Sequence, residues 1–429
     1  MLVEATPAGY NAHMRFTAPR GTNDFLPDQA EALQKVERTF RRLCALYGYR
    51  EIRTPAFEQA DLFVRTTGPT TDIVTKEMYV FQDRGGRQLA LRPEGTPPVV
   101  RAYLQHGLFG KGGLWKFYYI GPIFRYERPQ AGRYRQHTQL GVEAIGSPSP
   151  RLDVEVIDLN LALLSQSGLQ DISLEINSIG CPECRPSHRV ALLDYIRTVE
   201  DQLCADCLSR IEANPLRVLD CKQQSCRDAL SAAPEMLSFL CEECGAHFEA
   251  LQNGLSELGH PYQVQPRLVR GLDYYTRTVF EVSSPSLGAQ KQLSGGGRYD
   301  RLVEDIGGPP TPAVGFGAGL ERMALVSPAS ADEQAPRVFV AAAADGQRNA
   351  AFLTAAQLRK RGIAAETDYL DRNLANQLKQ ASKLGCSFAL LIGEEEMASG
   401  LLTLRNMKTG DQSRLSFDGI VEEVLNPKS

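Results

Sequence analysis

The chain has 429 residues, of which 43% are hydrophobic and 23% charged, and its formal net charge is −4. That length supports two or three domains with cores of their own, and the composition is ordinary for a globular protein. No apolar run is long enough to span a bilayer, residues 1–13 lack the basic start and apolar core of a signal peptide, and the charge excludes a generic nucleic-acid binder coated in basic residues. Local basic loops stay compatible with a nucleic-acid partner. The expectation is a cytoplasmic protein with no membrane segment and a disordered tail over 1–14, with Met14 as a second candidate start.

The spacing of Leu33, Val36, Phe40, Leu43 and Tyr47 predicts a helix over 27–48 that stops at Gly48. A short strand over 49–54 follows and ends at Pro55. Runs 116–127 and 135–145 read as an antiparallel pair joined by a mobile basic loop over 128–134. Residues 181–259 change character: they are helical, charged and rich in Cys, and read as an inserted subdomain. Further strands are expected over 268–282 and 313–319. A small, polar stretch over 327–335 reads as a linker. Beyond it the order is strand 338–342, helix 347–361, strand 364–368, helix 373–383 and strand 388–392, the alternation of a small parallel α/β domain. There is no internal repeat or low-complexity segment.

Four segments place an Arg beside Glu, Gln, Tyr or Gly: Arg92-Pro93-Glu94-Gly95-Thr96, the hairpin-like run 117–146, Arg270-Gly271-Leu272-Asp273-Tyr274-Tyr275-Thr276, and the run 294–322. Arg is the side chain best shaped to grip phosphate oxygens. Four such segments point to a nucleoside triphosphate, and the acidic and Tyr groups among them to a small cationic or polar co-substrate. Any one Arg alone would read as a solvated charge or a structural ion pair. No Ser-His-Asp order or Cys nucleophile is evident.

Eight of the ten Cys lie between Cys181 and Cys244, as Cys181-x-x-Cys184, Cys204-x-x-Cys207, Cys221-x4-Cys226 and Cys241-x-x-Cys244. Paired C-x-x-C spacing lets two thiolates meet one tetrahedral ion, so a structural zinc is expected, with His188 and His247 as further candidate ligands. Reduced buried thiols are the alternative. Disulfides fit poorly with a cytoplasmic protein. Cys44 and Cys386 stand alone and read as core residues.

Pro19-Arg20-Gly21-Thr22-Asn23-Asp24, the 92–96 and 270–276 runs, and Gly132-Arg133-Tyr134-Arg135-Gln136 together resemble the histidyl-tRNA synthetases, class II aminoacyl-tRNA synthetases, from about Pro19 to the C-terminus. The resemblance implies an α+β catalytic domain over 15–326 built on an antiparallel sheet, with the helical insertion at 181–259, and a C-terminal α/β anticodon-binding domain over 336–429. It implies a homodimer, with the first helix and strand in the interface; a helix packed on its own sheet is the alternative. It implies ATP with Mg²⁺, L-histidine and tRNA(His) as partners. Arg125 and Arg270 then grip the α-phosphate, Arg322 the γ-phosphate, and Glu127 joins the ATP site. Glu94, Gly95, Thr96 and Gln139 belong with the histidine α-amino group, Glu143 and Tyr275 with the imidazole, and Tyr274 lines the pocket or packs in the core. Gln136-His137-Thr138-Gln139 departs from the commonest family form, which has Phe-His before that Gln, while the register of Gln139 and Glu143 is kept. The zinc is not part of the family's catalytic apparatus. Two rival readings compete with it. One is a non-catalytic paralogue that regulates ATP phosphoribosyltransferase, which typically lacks the C-terminal domain and degrades the 270–276 run. The other is a zinc-stapled nucleic-acid-binding module, which leaves the Arg segments without a purpose.

Overall fold

The computed structural model describes residues 16–128, 132–211, 214–287, 291–327 and 337–426. The tail over 1–14, the centre of the 128–134 loop and all but the first residue of the 327–335 linker lie outside them. The chain divides into two compact units between Ala329 and Ser330.

The first unit opens with α1 (Pro27–Leu46). Pro27 suits the first helical position, where its missing N–H costs nothing, and Gln29 Oε1 accepts from the Leu26 N–H at 3.2 Å. Gly48, at φ +76, turns the chain out of the helix into β1 (Arg50–Glu51). A three-stranded sheet follows, β2 (Phe57–Gln59), β3 (Val80–Gln82) and β4 (Gln88–Leu91), with β4 central and α2 (Ala60–Thr67) beside it. Then come α3 (Thr96–Gln105), β5 (Trp115–Phe124), β6 (Gln136–Ile145), α4 (Pro150–Gln166) and β7 (Ser173–Ser178). The Cys-rich stretch holds α5 (Arg185–Thr198), α6 (Ala205–Ile211), α7 (Gln224–Ala229) and α8 (Glu242–Glu257). The unit closes with β8 (Gln263–Val264), β9 (Thr276–Ser283), β10 (Gln292–Arg298), α9 (Leu302–Asp305), β11 (Ala313–Gly319) and α10 (Leu320–Val326).

Eight of these strands form one sheet in the order β1-β5-β6-β11-β10-β9-β7-β8. Its interior pairs are antiparallel; the outermost pairs, β1 with β5 and β7 with β8, are parallel. The expected antiparallel sheet is therefore mixed at both edges. Strand alternation sorts the side chains. Leu140, Val142 and Ala144 of β6 join Val36 and Phe40 of α1 and Ile157 and Leu164 of α4 in the larger core. Phe117 and Tyr119 of β5 turn the other way, toward Tyr103, Tyr275 and Tyr299. So α1 packs one face on its own sheet. The strand expected over 268–282 begins only at Thr276. Residues 270–275 are irregular because their groups are held by other elements: the Asp273 N–H donates to Thr67 O at 3.2 Å, and Asn214 Nδ2 to Asp273 Oδ1 at 2.7 Å.

The second unit holds β12 (Arg337–Ala342), α11 (Arg348–Lys360), β13 (Ala364–Thr367), α12 (Leu374–Lys383), β14 (Phe388–Ile392), α13 (Glu394–Ser399), β15 (Leu402–Asn406), β16 (Gln412–Leu415) and α14 (Phe417–Leu425). Its sheet runs β13-β12-β14-β15-β16. The first three strands are parallel, as the alternation predicts, but β15 and β16 add an antiparallel edge, so this sheet too is mixed. Val338, Val340 and Leu390 pack with Ala355, Leu358 and Ile420, while Phe339 and Ala341 pack with Ala381 and Cys386.

Candidate active site

The open face of the large sheet forms a cleft enclosing about 940 Å³, part of it open solvent. Period-two alternation builds its floor. On β6, Gln139, Gly141 and Glu143 face away from the Leu140/Val142 core. On β11, Gly315 pairs with Glu143 in register. A Cβ on Gly315 would overlap Glu143 Oε2, and one on Gly317 would come within 2.5 Å of Gln139 Nε2. Glycine at these positions leaves the space in which those polar groups lie.

The acidic part of the cleft is buried, and among the described residues no cation is bonded to its carboxylates. Glu94 follows β4 and is 3% exposed; its Oε2 accepts from the Tyr274 hydroxyl at 2.9 Å, and its Oε1 has no partner. Burial pushes the Glu94 carboxyl up to about 7, against the pull of Tyr274 and Arg125. Glu143 accepts from the Thr96 hydroxyl at 2.7 Å and from the Tyr299 hydroxyl. Burial raises it to about 8, with Glu94 adding repulsion. The Tyr119 hydroxyl donates to Gln139 Oε1 at 2.8 Å. A cationic or hydrogen-bond-donating ligand would supply what these groups lack.

The opposite wall is basic. Arg125 Nε donates to Pro93 O at 2.7 Å, and Arg322 donates to Gly132 O at 3.0 Å and Gln292 O at 2.8 Å. Burial, Arg133 and Arg125 all lower the Arg322 pKa, the mark of cations crowded together. Glu127 pairs with Arg133 and lies 3.8 Å from Arg125. Arg270 meets Glu281 at 2.7 Å, and a Cβ on Gly295 would come within 2.7 Å of its guanidinium. Such a wall suits a polyphosphate.

Glu94, Thr96, Arg125, Glu127, Gln139, Arg270, Tyr274, Tyr275 and Arg322 all line this one cleft. Glu143 lies just beneath it, behind Gly315. Gly95 precedes α3, where a Cβ would overlap the Tyr119 ring. The 92–96 Arg is not among the gripping groups: Arg92 is 5% exposed and donates to Pro122 O at 2.7 Å and Thr54 Oγ1 at 3.0 Å, so it is a structural brace. Sequence reasoning missed Tyr299, Tyr119, Arg133 and Gln292 as lining residues. Tyr299 ends the Gly295-Gly296-Gly297-Arg298 run, and that glycine-rich approach was the available signal.

The eight clustered Cys fall into two groups, Cys181/Cys184/Cys241/Cys244 and Cys204/Cys207/Cys221/Cys226; in each, the four sulfurs lie within 4.8 Å of one another. The candidate ligands His188 and His247 join neither group among the described residues. His188 Nε2 lies 2.9 Å from Pro234 O, and His247 Nε2 lies 3.3 Å from Asp153 Oδ1, so both rings are already engaged.

The family model described as histidyl-tRNA synthetase matches residues 21–323, and one described as anticodon binding domain matches 337–426. A histidine–tRNA ligase of Halothermothrix orenii is 48% identical over 96% of this chain and 99% of its own length. One of Pelotomaculum thermopropionicum is 49% identical over 95% and 97%. The apo histidyl-tRNA synthetase of S. aureus superposes with a TM-score of 0.81 at 37% identity, covering 96% of this chain and all of that one. On its sequence, its fold and these matches, the chain belongs to the histidyl-tRNA synthetase family.

Proposed function

We propose that the protein is an ATP-dependent histidine–tRNA ligase. Two buried carboxylates without a cation, facing a wall of arginines across one cleft, carry this reading. Glu94, with Thr96 and Gln139, takes the histidine α-ammonium, and the main chain at Gly95 borders that subsite. Glu143 and Tyr275 take the imidazole, with Tyr274 holding Glu94 in place and Tyr299 holding Glu143. MgATP binds along the basic wall, with Arg125 and Arg270 on the α-phosphate, Arg322 on the γ-phosphate and Glu127 orienting the arginines. The histidine carboxylate oxygen attacks the α-phosphorus and the bond to pyrophosphate breaks. The protein's part is alignment and charge stabilisation, so no protein nucleophile is required. The terminal ribose hydroxyl of tRNA(His) then takes the histidyl group and AMP leaves.

In this reading residues 15–326 are the catalytic domain, 181–259 its insertion, and 336–429 the anticodon-binding domain. The working form is a cytoplasmic homodimer. No helix among the described residues is long and apolar enough to cross a membrane. The exposed rings of Phe57 and Phe81 and the side chain of Val80 offer apolar surface for a second copy. Histidine-dependent exchange of pyrophosphate into ATP is the test. Its absence in protein that binds histidine would transfer the reading to a non-catalytic paralogue. A chain cut after about residue 330 should keep exchange while losing most tRNA charging, because binding energy remote from the reacting atoms positions the acceptor end.

A further inference from the structure

We infer that the insertion carries two separate tetrathiolate zinc sites that brace the 270–277 segment from both sides. The first holds Cys181, Cys184, Cys241 and Cys244, and the second holds Cys204, Cys207, Cys221 and Cys226. Chain order does not predict this pairing: the first C-x-x-C joins the last, and the two middle pairs join each other.

The sulfur spacing fits a tetrahedral tetrathiolate ion. Zinc–sulfur bonds of about 2.3 Å in a tetrahedron set the sulfurs about 3.8 Å apart. Cys181 and Cys184 are 3.6 Å apart, Cys181 and Cys241 3.9 Å, and Cys204 and Cys221 3.9 Å. Disulfide sulfurs would lie at about 2.05 Å, and all eight Cys are free. Backbone amides point at the sulfurs: the Cys241 N–H at Cys184 Sγ, 3.1 Å, and the Cys204 N–H at Cys226 Sγ, 3.2 Å. Such amides stabilise thiolate ligands. The apolar packing around the first group is small, Met236, Phe239 and Leu240, while the second also packs with Leu192, Ile196, Leu203, Val218 and Leu230. Subdomains of this size commonly need a metal to hold them.

Both sites connect to the segment that carries Tyr274 and Tyr275. Beside the first, the Ile179 N–H donates to Arg277 O at 2.8 Å, the Arg277 N–H to Gly180 O at 2.9 Å, and Arg185 to Tyr275 O. Arg277 sits at φ +48, a conformation that L residues adopt only when their surroundings hold it. Beside the second, Asn214 Nδ2 donates to Asp273 Oδ1 at 2.7 Å; Arg217 reaches Thr70 O at 3.2 Å and Asp72 at 3.3 Å, just beyond Thr67, whose carbonyl accepts from the Asp273 N–H. The metals are structural and act by positioning.

Full-length protein prepared without chelator should contain about two zinc ions per chain by elemental analysis, with no visible absorbance from iron. Cys181→Ser/Cys184→Ser and Cys204→Ser/Cys207→Ser should each leave about one. Should either variant fail to fold, titrating the wild type with a mercurial thiol reagent decides: about four thiols blocked per zinc released supports the sites. Content near zero or one ion, iron absorbance, or a different thiol-to-zinc ratio overturns them. The bracing role rests on the histidine reading above and has its own readout. Loss of either ion should raise the histidine KM by about 10- to 100-fold, as misplacement near 1 Å does, with the KM for ATP changing less. An unchanged histidine KM in a variant that has lost its ion overturns the bracing and leaves the metal count standing.

Discussion

Asp153 and Glu143 are equally shut away from solvent, 0% and 1% exposed, yet the protein treats their charges in opposite ways. Asp153, on α4, is met by the equally buried Arg298, whose Nε lies 3.1 and 3.2 Å from its two oxygens, and by His247. Burial pushes Asp153 up, but Arg298 and His247 more than reverse this and hold it below the ordinary carboxylate range. Glu143 and its neighbour Glu94 have hydroxyl partners and no cation, and both stand well above that range. A buried charge with its counterion in place ties the fold together. A buried carboxyl without one suits a cation from outside, and on the proposed function the difference marks the ligand site.

The largest effect should come from breaking the satisfied pair. Asp153→Ala takes from Arg298 its fully buried counterion, leaving it Asp300 at 3.1 Å and the carbonyls of Ser147 and Ser149, and should lower the unfolding free energy by about 3–5 kcal/mol. Urea denaturation measures it, and a loss well under 1 kcal/mol would dissolve the contrast. Next comes the basic wall. Arg270→His should slow pyrophosphate exchange by about 10²–10³-fold, the scale for losing one transition-state charge contact, with histidine binding largely kept. Near-normal exchange would remove Arg270 from the chemistry.

Smaller again is the loss expected for the unpaired acids. Glu143→Ala should weaken histidine binding by about 1.5–3 kcal/mol, with ATP binding much less affected. Unlike Asp153→Ala, it should leave the ligand-free protein close to wild-type stability. An unchanged histidine KM, or a stability loss matching that of Asp153→Ala, would place Glu143 in the structural class instead.

The smallest effect is a pH dependence. Glu94 at about 7 and Glu143 at about 8 lie above the ordinary value of 4.5. Their contribution to stability is therefore complete below that value and lost as pH rises through about 7 to 8. Histidine affinity should move the other way, because the ligand's ammonium favours ionised Glu94. Binding near pH 7 should release a proton from the protein. Calorimetry in buffers of different ionisation enthalpy reads that release, which should be smaller in Glu94→Gln.

Where local pattern and tertiary environment agree, the sequence is legible. The α1 spacing, the β5–β6 hairpin and the β12-to-β14 alternation are of this kind. The 270–275 run looks like strand because Tyr274 and Tyr275 favour sheets, yet Thr67 and Asn214 hold it out of the ladder, and neither is near in sequence. β15 and β16 carried an overlooked signal, the alternation of 402–406 and the turn at Thr409-Gly410-Asp411. Arg125, Arg270, Arg322, Glu94, Glu127, Tyr274 and Tyr275, which line the cleft, were legible from their motifs. The supporting role of Tyr299 was not, because its reach to Glu143 depends on strands that meet only in the sheet. The cysteine pairing is of the same sort: spacing marks candidate ligands, but only topology says which pairs come together.

That pairing also sets an order of assembly. The group from Cys204 to Cys226 lies wholly inside the chain span of Cys181 to Cys244, like one bracket inside another. As the chain emerges from the ribosome, the inner four sulfurs are complete while the outer group still lacks its second half. Closing the inner loop first shortens the free chain that the outer group must close, and so lowers its entropic cost. The segment bearing Tyr274 and Tyr275 is synthesised only after both groups have all their ligands. The tyrosines that line the cleft are thus laid onto a support that is already finished.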